Sequence, residues 1–268
     1  MTHSLAYSVN CSLLFTEVPL LQRPAAAAAA GFSALEFWWP WPDQPVPSDT
    51  EVDAFVAAVR DAGVKLIGLN FFAGDLAGPD CGVVSLPDRA AEFRDNVDLV
   101  VGMGEQLGIE AFNALYGNRV ETASPQEQDE LAVENLTLAA KAAAGIGATV
   151  LVEPVSGPKP YPLRTAADVI GVLDRVGADN TGLLCDLFHL ANNGDDVEGA
   201  VAAYADRIAH VQIADHPGRH EPGTGTLDID GLLGQIERGG YTGRVALEYL
   251  PSTSTLDSLA WLPVERRG

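Results

Sequence analysis

The sequence predicts an α/β fold, a single (β/α)8 TIM barrel over residues 1–268. Three observations lead there. The chain has 268 residues and 47% apolar content, enough for one large core. Eight short apolar runs alternate with eight helical patterns, the order that produces a parallel sheet wrapped by helices. Four runs in the second half each stop at one polar residue: Glu153, Asp186, Gln212 and Glu248. The intervals are 33, 26 and 36 residues, each close to the roughly 30 residues of one strand–helix unit. The four polar residues therefore fall at matching places on successive strands.

In chain order, Leu5 to Asn10 reads as the first strand and Pro19 to Gly31 as a helix, with Pro24 awkward near its start. Ala34 to Trp38 reads as the second strand and carries Glu36. The aromatic run Trp38-Trp39-Pro40-Trp41-Pro42 follows it, placed to wall a pocket or pack over the barrel top. Ser48 caps a helix running to Ala62, and Gly63 ends it. Val64 to Asn70 is the third strand. The loop 71–86 has closely spaced turn signals and is long enough to act as a lid. A helix from Pro87 to about Gly108 leads to a fourth strand, Ile109 to Asn113. Ser124-Pro125-Gln126-Glu127 opens a helix to about Ala144, and Ala148 to Glu153 is strand five.

The next loop is stiffened by Pro154, Pro158, Pro160 and Pro162, and Lys159 projects from it. A helix spans Arg164 to Val176, strand six ends at Asp186, and helix six covers about Asp195 to Ala205. Strand seven ends at Gln212 and precedes a polar, glycine-rich loop from Asp215 to Gly225. Helix seven covers about Ile229 to Arg238, strand eight ends at Glu248, and a final helix covers Thr255 to Leu262.

A lone carboxylate at the end of a buried strand is costly. Each of the four polar residues, taken singly, could be a strand-end group bonding a loop. Four in register at the carboxyl ends of parallel strands point to a shared cation. Three carboxylates and an amide oxygen are hard donors suited to Mg²⁺ or Mn²⁺. The formal net charge of −21 opposes binding to a phosphate backbone, and Lys and Arg form no cluster. No apolar run reaches the roughly 18 residues of a membrane span. No signal peptide is read at the N-terminus. Cys11, Cys81 and Cys185 are widely spaced and odd in number, which fits a reduced, cytoplasmic protein acting on a small molecule.

The chain resembles the hydroxypyruvate isomerases of the xylose-isomerase-like (AP endonuclease family 2) TIM barrel superfamily. The resemblance runs over Asn10 to Phe15, Ala29 to Phe37, Ala73-Gly74-Asp75 and Phe93-Arg94-Asp95. It is sharpest in His210-Val211-Gln212-Ile213-Ala214-Asp215, Arg219 and Glu221 to Gly225, where Gln212 replaces the His usual in ketose epimerases. It implies a divalent metal on Glu153, Asp186, Gln212 and Glu248, with Glu153 and Glu248 also the catalytic acid/base pair. The implied reaction is aldose–ketose isomerisation of hydroxypyruvate to tartronate semialdehyde through a metal-stabilised enediolate. Leu69, Phe72 and the proline-rich loop after Glu153 depart from the family pattern where substrate is enclosed.

His189, Arg219, Asn70 and Lys159 are the substrate-binding candidates. Arg219 suits a carboxylate because guanidinium offers two parallel donors; a salt bridge to Glu221 or Asp215 is its plainer reading. His216 and His220 are expected not to bind metal. His210 is expected on the opposite side of its strand from Gln212, against the helices, and His3 is expected to be disordered. The rival functions are a ketose 3-epimerase or an inosose or sugar-acid isomerase with the same metal, and a non-catalytic metal-binding barrel. A three-zinc nuclease is disfavoured by only five histidines. The superfamily often pairs barrels, so a homo-oligomer is a further expectation.

Overall fold

The computed structural model describes residues 2–268. Eight parallel strands close into a barrel in sequential order: β1 Tyr7–Asn10, β2 Ala34–Phe37, β3 Lys65–Asn70, β4 Ala111–Asn113, β5 Thr149–Val152, β6 Thr181–Asp186, β7 Ile208–Ile213 and β8 Val245–Leu247. Closure is made by β1 on β8, with Tyr7 opposite Val245 and Val9 opposite Leu247. Nine α-helices are distributed among the described residues: α1 Arg23–Ala29, α2 Asp49–Ala62, α3 Ala90–Leu107, α4 Pro125–Ala144, α5 Ala166–Val176, α6 Leu187–Asn193, α7 Val197–Ala203, α8 Ile229–Arg238 and α9 Thr255–Ser258. None of them is long and apolar enough to cross a membrane. The TIM-barrel expectation is met.

Local chemistry explains why the elements begin and end where they do. Ser48 with Glu51, Ser124 with Glu127, and Thr165 with Asp168 form reciprocal capping boxes at the starts of α2, α4 and α5. Gly63, Gly108 and Gly177 end α2, α3 and α5 in the left-handed conformation. The core lies between barrel and helices. Phe37 of β2 meets Phe55 of α2 edge-on at 5.2 Å, and Trp41 closes over Phe55 at 5.7 Å.

Several local expectations are corrected. The stretch 19–31 is a 3₁₀ turn, Leu20–Gln22, followed by the short α1. Pro24 fits there because the first helical turn does not need its missing N–H. The helix expected over 195–205 is the shorter α7, and a helix that was not expected, α6, precedes it. α6 begins directly after Asp186, whose carboxylate accepts from the His189 backbone N–H at 3.0 Å. Gly194 ends α6, and Asp196 caps α7. The final helix stops at Ser258 rather than Leu262. His3 is ordered and buried, its ring set edge-on against Tyr7. A position within reach of an aromatic and of Arg266 outweighs nearness to the chain end.

Candidate active site at the carboxyl ends of the strands

Period-two alternation decides which residues enter the barrel. On β7, His210 and Gln212 are two residues apart and share the interior face. This corrects the expectation for His210: its Nε2 lies 2.7 Å from Glu36 Oε2, inside the barrel. Asp186 and Gln212 are register partners at the ends of β6 and β7. Glu153 and Glu248 each lie one residue beyond their strands, and all four are at most 6% exposed.

Glu153 Oε2, Asp186 Oδ2 and Gln212 Oε1 are buried with no hydrogen-bond partner. Buried acceptors are nearly always satisfied, so three orphaned oxygens on neighbouring strands need an explanation. A bound cation would satisfy all three, and the donors are of the hard oxygen type. Asp186, Glu248 and His189 also each place a ligand-type atom within 4.8 Å of one another. His189 is poorly set up to ligate. Its Nδ1 accepts from the Ser156 N–H at 3.0 Å, so in the neutral ring the proton sits on Nε2, the nitrogen nearer Asp186. Burial, helped by Arg219, pushes the His189 pKa down to about 3 and keeps the ring neutral. It is a hydrogen-bond donor aimed into the site.

The two glutamates differ in environment. Glu248 Oε1 accepts from Trp38 Nε1 at 2.7 Å and Asn10 Nδ2 at 3.1 Å, while Oε2 accepts from Arg219 at 2.7 Å. Burial nevertheless raises its pKa to about 7, with Arg219 opposing the rise. Burial first, then the charges of Glu248 and Asp186, push Glu153 well above the carboxylate range, against the opposing pull of the Asn113 side chain and of Arg219. Asp186 is raised by burial, against the pull of Arg219.

Arg219 does not bridge to Asp215 or Glu221. It adopts a left-handed backbone (φ 61°), stacks over Phe188 at 5.5 Å and pairs with Glu248. Its buried Nε has no partner. Lys159 donates to the backbone carbonyls of Leu76 and Gly78, so it fastens the loop after Glu153 to the loop 71–86. Asn70, Lys159, His189 and Arg219 all line one cavity with Glu153 and Glu248. His216 and His220 do not line it.

Trp38 lines the cavity, as the aromatic run was expected to do, but its bond to Glu248 was not foreseen, and Asn10, Asn113 and Ser156 were not singled out as site residues from sequence. Ser156 carried no signal, because its partner His189 is 33 residues away.

Comparison with known proteins agrees with this architecture. Residues 24–263 match the family described as xylose isomerase-like TIM barrel. A Streptomyces coelicolor protein named "Putative hydroxypyruvate isomerase" is 52% identical over 98% of this chain and 97% of its own. The hydroxypyruvate isomerase of Escherichia coli is 31% identical, covering 96% of this chain and 98% of that protein. The 2-oxo-tetronate isomerase of Haemophilus influenzae is also 31% identical, over 95% and 97%. A crystal structure described as an AP endonuclease, family 2, from Brucella melitensis superposes with a TM-score of 0.87 at 32% identity, covering 96% of this chain and 97% of that one. The chain belongs to the xylose isomerase-like TIM barrel family, within the group that holds the hydroxypyruvate isomerases and the 2-oxo-tetronate isomerases.

Proposed function

We propose that the protein is a metal-dependent aldose–ketose isomerase of a small 2-oxo acid, converting hydroxypyruvate to tartronate semialdehyde. The observation that carries this reading is the set of unpartnered buried oxygens on Glu153, Asp186 and Gln212, at the strand ends where Glu153 and Glu248 line a cavity with Arg219 and Lys159. Glu153, Asp186, Gln212 and Glu248 would hold Mg²⁺ or Mn²⁺, which when bound supplies Lewis-acid polarisation of the substrate oxygens. Charge supports an acidic substrate. Two basic side chains and a divalent cation exceed three carboxylates by one positive charge, and one substrate carboxylate balances it.

The chain's own residues then divide the work. Arg219 and Lys159 orient the carboxylate. His189 donates from Nε2 to a substrate oxygen. One glutamate takes a proton from C3 and the other delivers one to C2; the reverse reaction exchanges their roles. Trp38 Nε1 and Asn10 hold Glu248 in place for this transfer.

The test is proton NMR in D₂O with Mg²⁺, offering hydroxypyruvate, a four-carbon 2-oxo acid, a ketohexose and an inosose separately. Deuterium incorporation and interconversion are expected for the oxo acids alone. Turnover of the neutral sugars alone would overturn the substrate class and favour an epimerase.

Metal and pH should be linked through stability. Glu153, Asp186 and Glu248 have raised values in the folded state, so their contribution is present at low pH and is lost as pH rises through those values. His189 works oppositely, but only below its ordinary value of about 6.5, above which it is neutral in both states. Around pH 7, where Glu248 is placed, the carboxylates decide the sign. The melting temperature in chelator should fall by about 3–5 °C per pH unit for each proton involved. Saturating Mn²⁺ should raise it and flatten the slope, because the cation replaces the proton. An identical slope with and without Mn²⁺, read by calorimetry, would count against the metal site.

A further inference from the structure

Glu36 is a buried carboxylate, 4% exposed, for which the proposed reaction has no step. Burying such a charge is expensive unless its partners repay it. Its Oε1 accepts from Gln212 Nε2 at 2.5 Å and from Asn10 Nδ2 at 3.0 Å, and its Oε2 lies 2.7 Å from His210 Nε2. These partners come from β7 and β1, with Asn10 the register partner of Glu36 itself. The space for the side chain is made by Gly68 on β3. A Cβ there would lie 3.3 Å from Glu36 Cβ and 3.4 Å from its Oε2, closer than most side chains tolerate.

The consequence lies in Gln212. An amide has an oxygen end and a nitrogen end of nearly equal size, and only the oxygen can bind a cation. A carboxylate can only accept, so the Gln212 NH₂ must face Glu36. Its Oε1 then points away, where it is buried without a donor. We propose that Glu36, braced by His210 and Asn10, is a positioning residue that locks the Gln212 amide with its oxygen toward the cation and polarises that oxygen. A neutral glutamine thereby serves as a dependable hard ligand on a strand otherwise free of acidic ligands. Asn10 extends the same device to the second glutamate, since its Nδ2 also reaches Glu248 Oε1 at 3.1 Å.

This inference rests on the metal reading above, and the experiment separates the two. Mn²⁺ affinity is measured by calorimetry, without substrate, on the full chain and on Glu36→Gln, Gln212→Ala and the double variant. Glu36→Gln keeps shape but can no longer accept from both His210 and Gln212. It should weaken Mn²⁺ binding by about 10–100-fold, the usual effect of losing a residue that orients a ligand. The double variant should bind no more weakly than Gln212→Ala alone, because Glu36 acts through that amide. Unchanged affinity in Glu36→Gln would overturn the inference. So would losses that multiply, which would show a field effect without positioning. A merely structural role would lower the melting temperature without producing this non-additivity. Should Glu36→Gln fail to fold, His210→Asn in the same cycle is expected to show a smaller, severalfold loss that again vanishes with Gln212→Ala. Unchanged affinity or multiplying losses in that cycle would equally overturn it. If the unaltered protein binds no Mn²⁺, the metal reading fails and takes this inference with it.

Discussion

Glu153→Gln should lower kcat for hydroxypyruvate isomerisation by about 10³-fold while Mn²⁺ remains bound. The two halves have separate causes. Glutamine keeps an oxygen donor of the same reach at a position where Glu153 Oε2 is buried and unpartnered. Metal affinity should therefore fall only modestly. Proton transfer by a placed side chain contributes roughly 10²–10⁴-fold, and an amide cannot perform it. Solvent deuterium exchange at the substrate carbon provides the finer readout. A variant that exchanges but does not form product has lost the delivering group; one that does neither has lost the base. A kcat within about tenfold of the unaltered enzyme, with metal bound, would make Glu153 a ligand only and leave the proton transfer to another group.

The parts of this site legible from sequence are those written into local pattern. Apolar runs stopping at Glu153, Asp186, Gln212 and Glu248 report strand ends directly, because a doubly buried strand tolerates a carboxylate only at its mouth. The caps at Ser48 and Ser124 are similarly local. What was missed depends on pairings far apart in the chain. Trp38 and Glu248 are 210 residues apart, and His210 and Glu36 are 174 apart. Barrel closure alone brings them together. Glu36 was visible as a polar residue on a strand, but its partners were not. The error over His210 is of another kind: it and Gln212 are two residues apart, so strand periodicity already required a shared face. Helix α6 was overlooked because Asp186 reads as a strand end, although the same carboxylate also caps the following helix.

Arg219→Met should reduce kcat/KM by about two orders of magnitude and move the acid limb of its pH profile upward. Arg219 lies 2.7 Å from Glu248 Oε2 and faces a cavity suited to a substrate carboxylate. A charge-assisted hydrogen bond in such surroundings is worth roughly 1.5–3 kcal/mol, and about 1.4 kcal/mol is a factor of ten. The direction of the pH effect follows from the same contact. Burial alone would lift Glu248 further, and the neighbouring guanidinium holds it to about 7. Removing that positive charge raises the value, so a higher pH is needed to ionise the carboxylate as a base. Arg219→Lys separates the two roles. Its ammonium would restore much of the pH profile but neither the paired donors nor the stacking on Phe188, leaving KM raised. A pH profile unchanged in Arg219→Met would mean that Glu248 is not the group whose ionisation limits the reaction. The base would then have to be Glu153, whose burial among acids already sets it above the ordinary range.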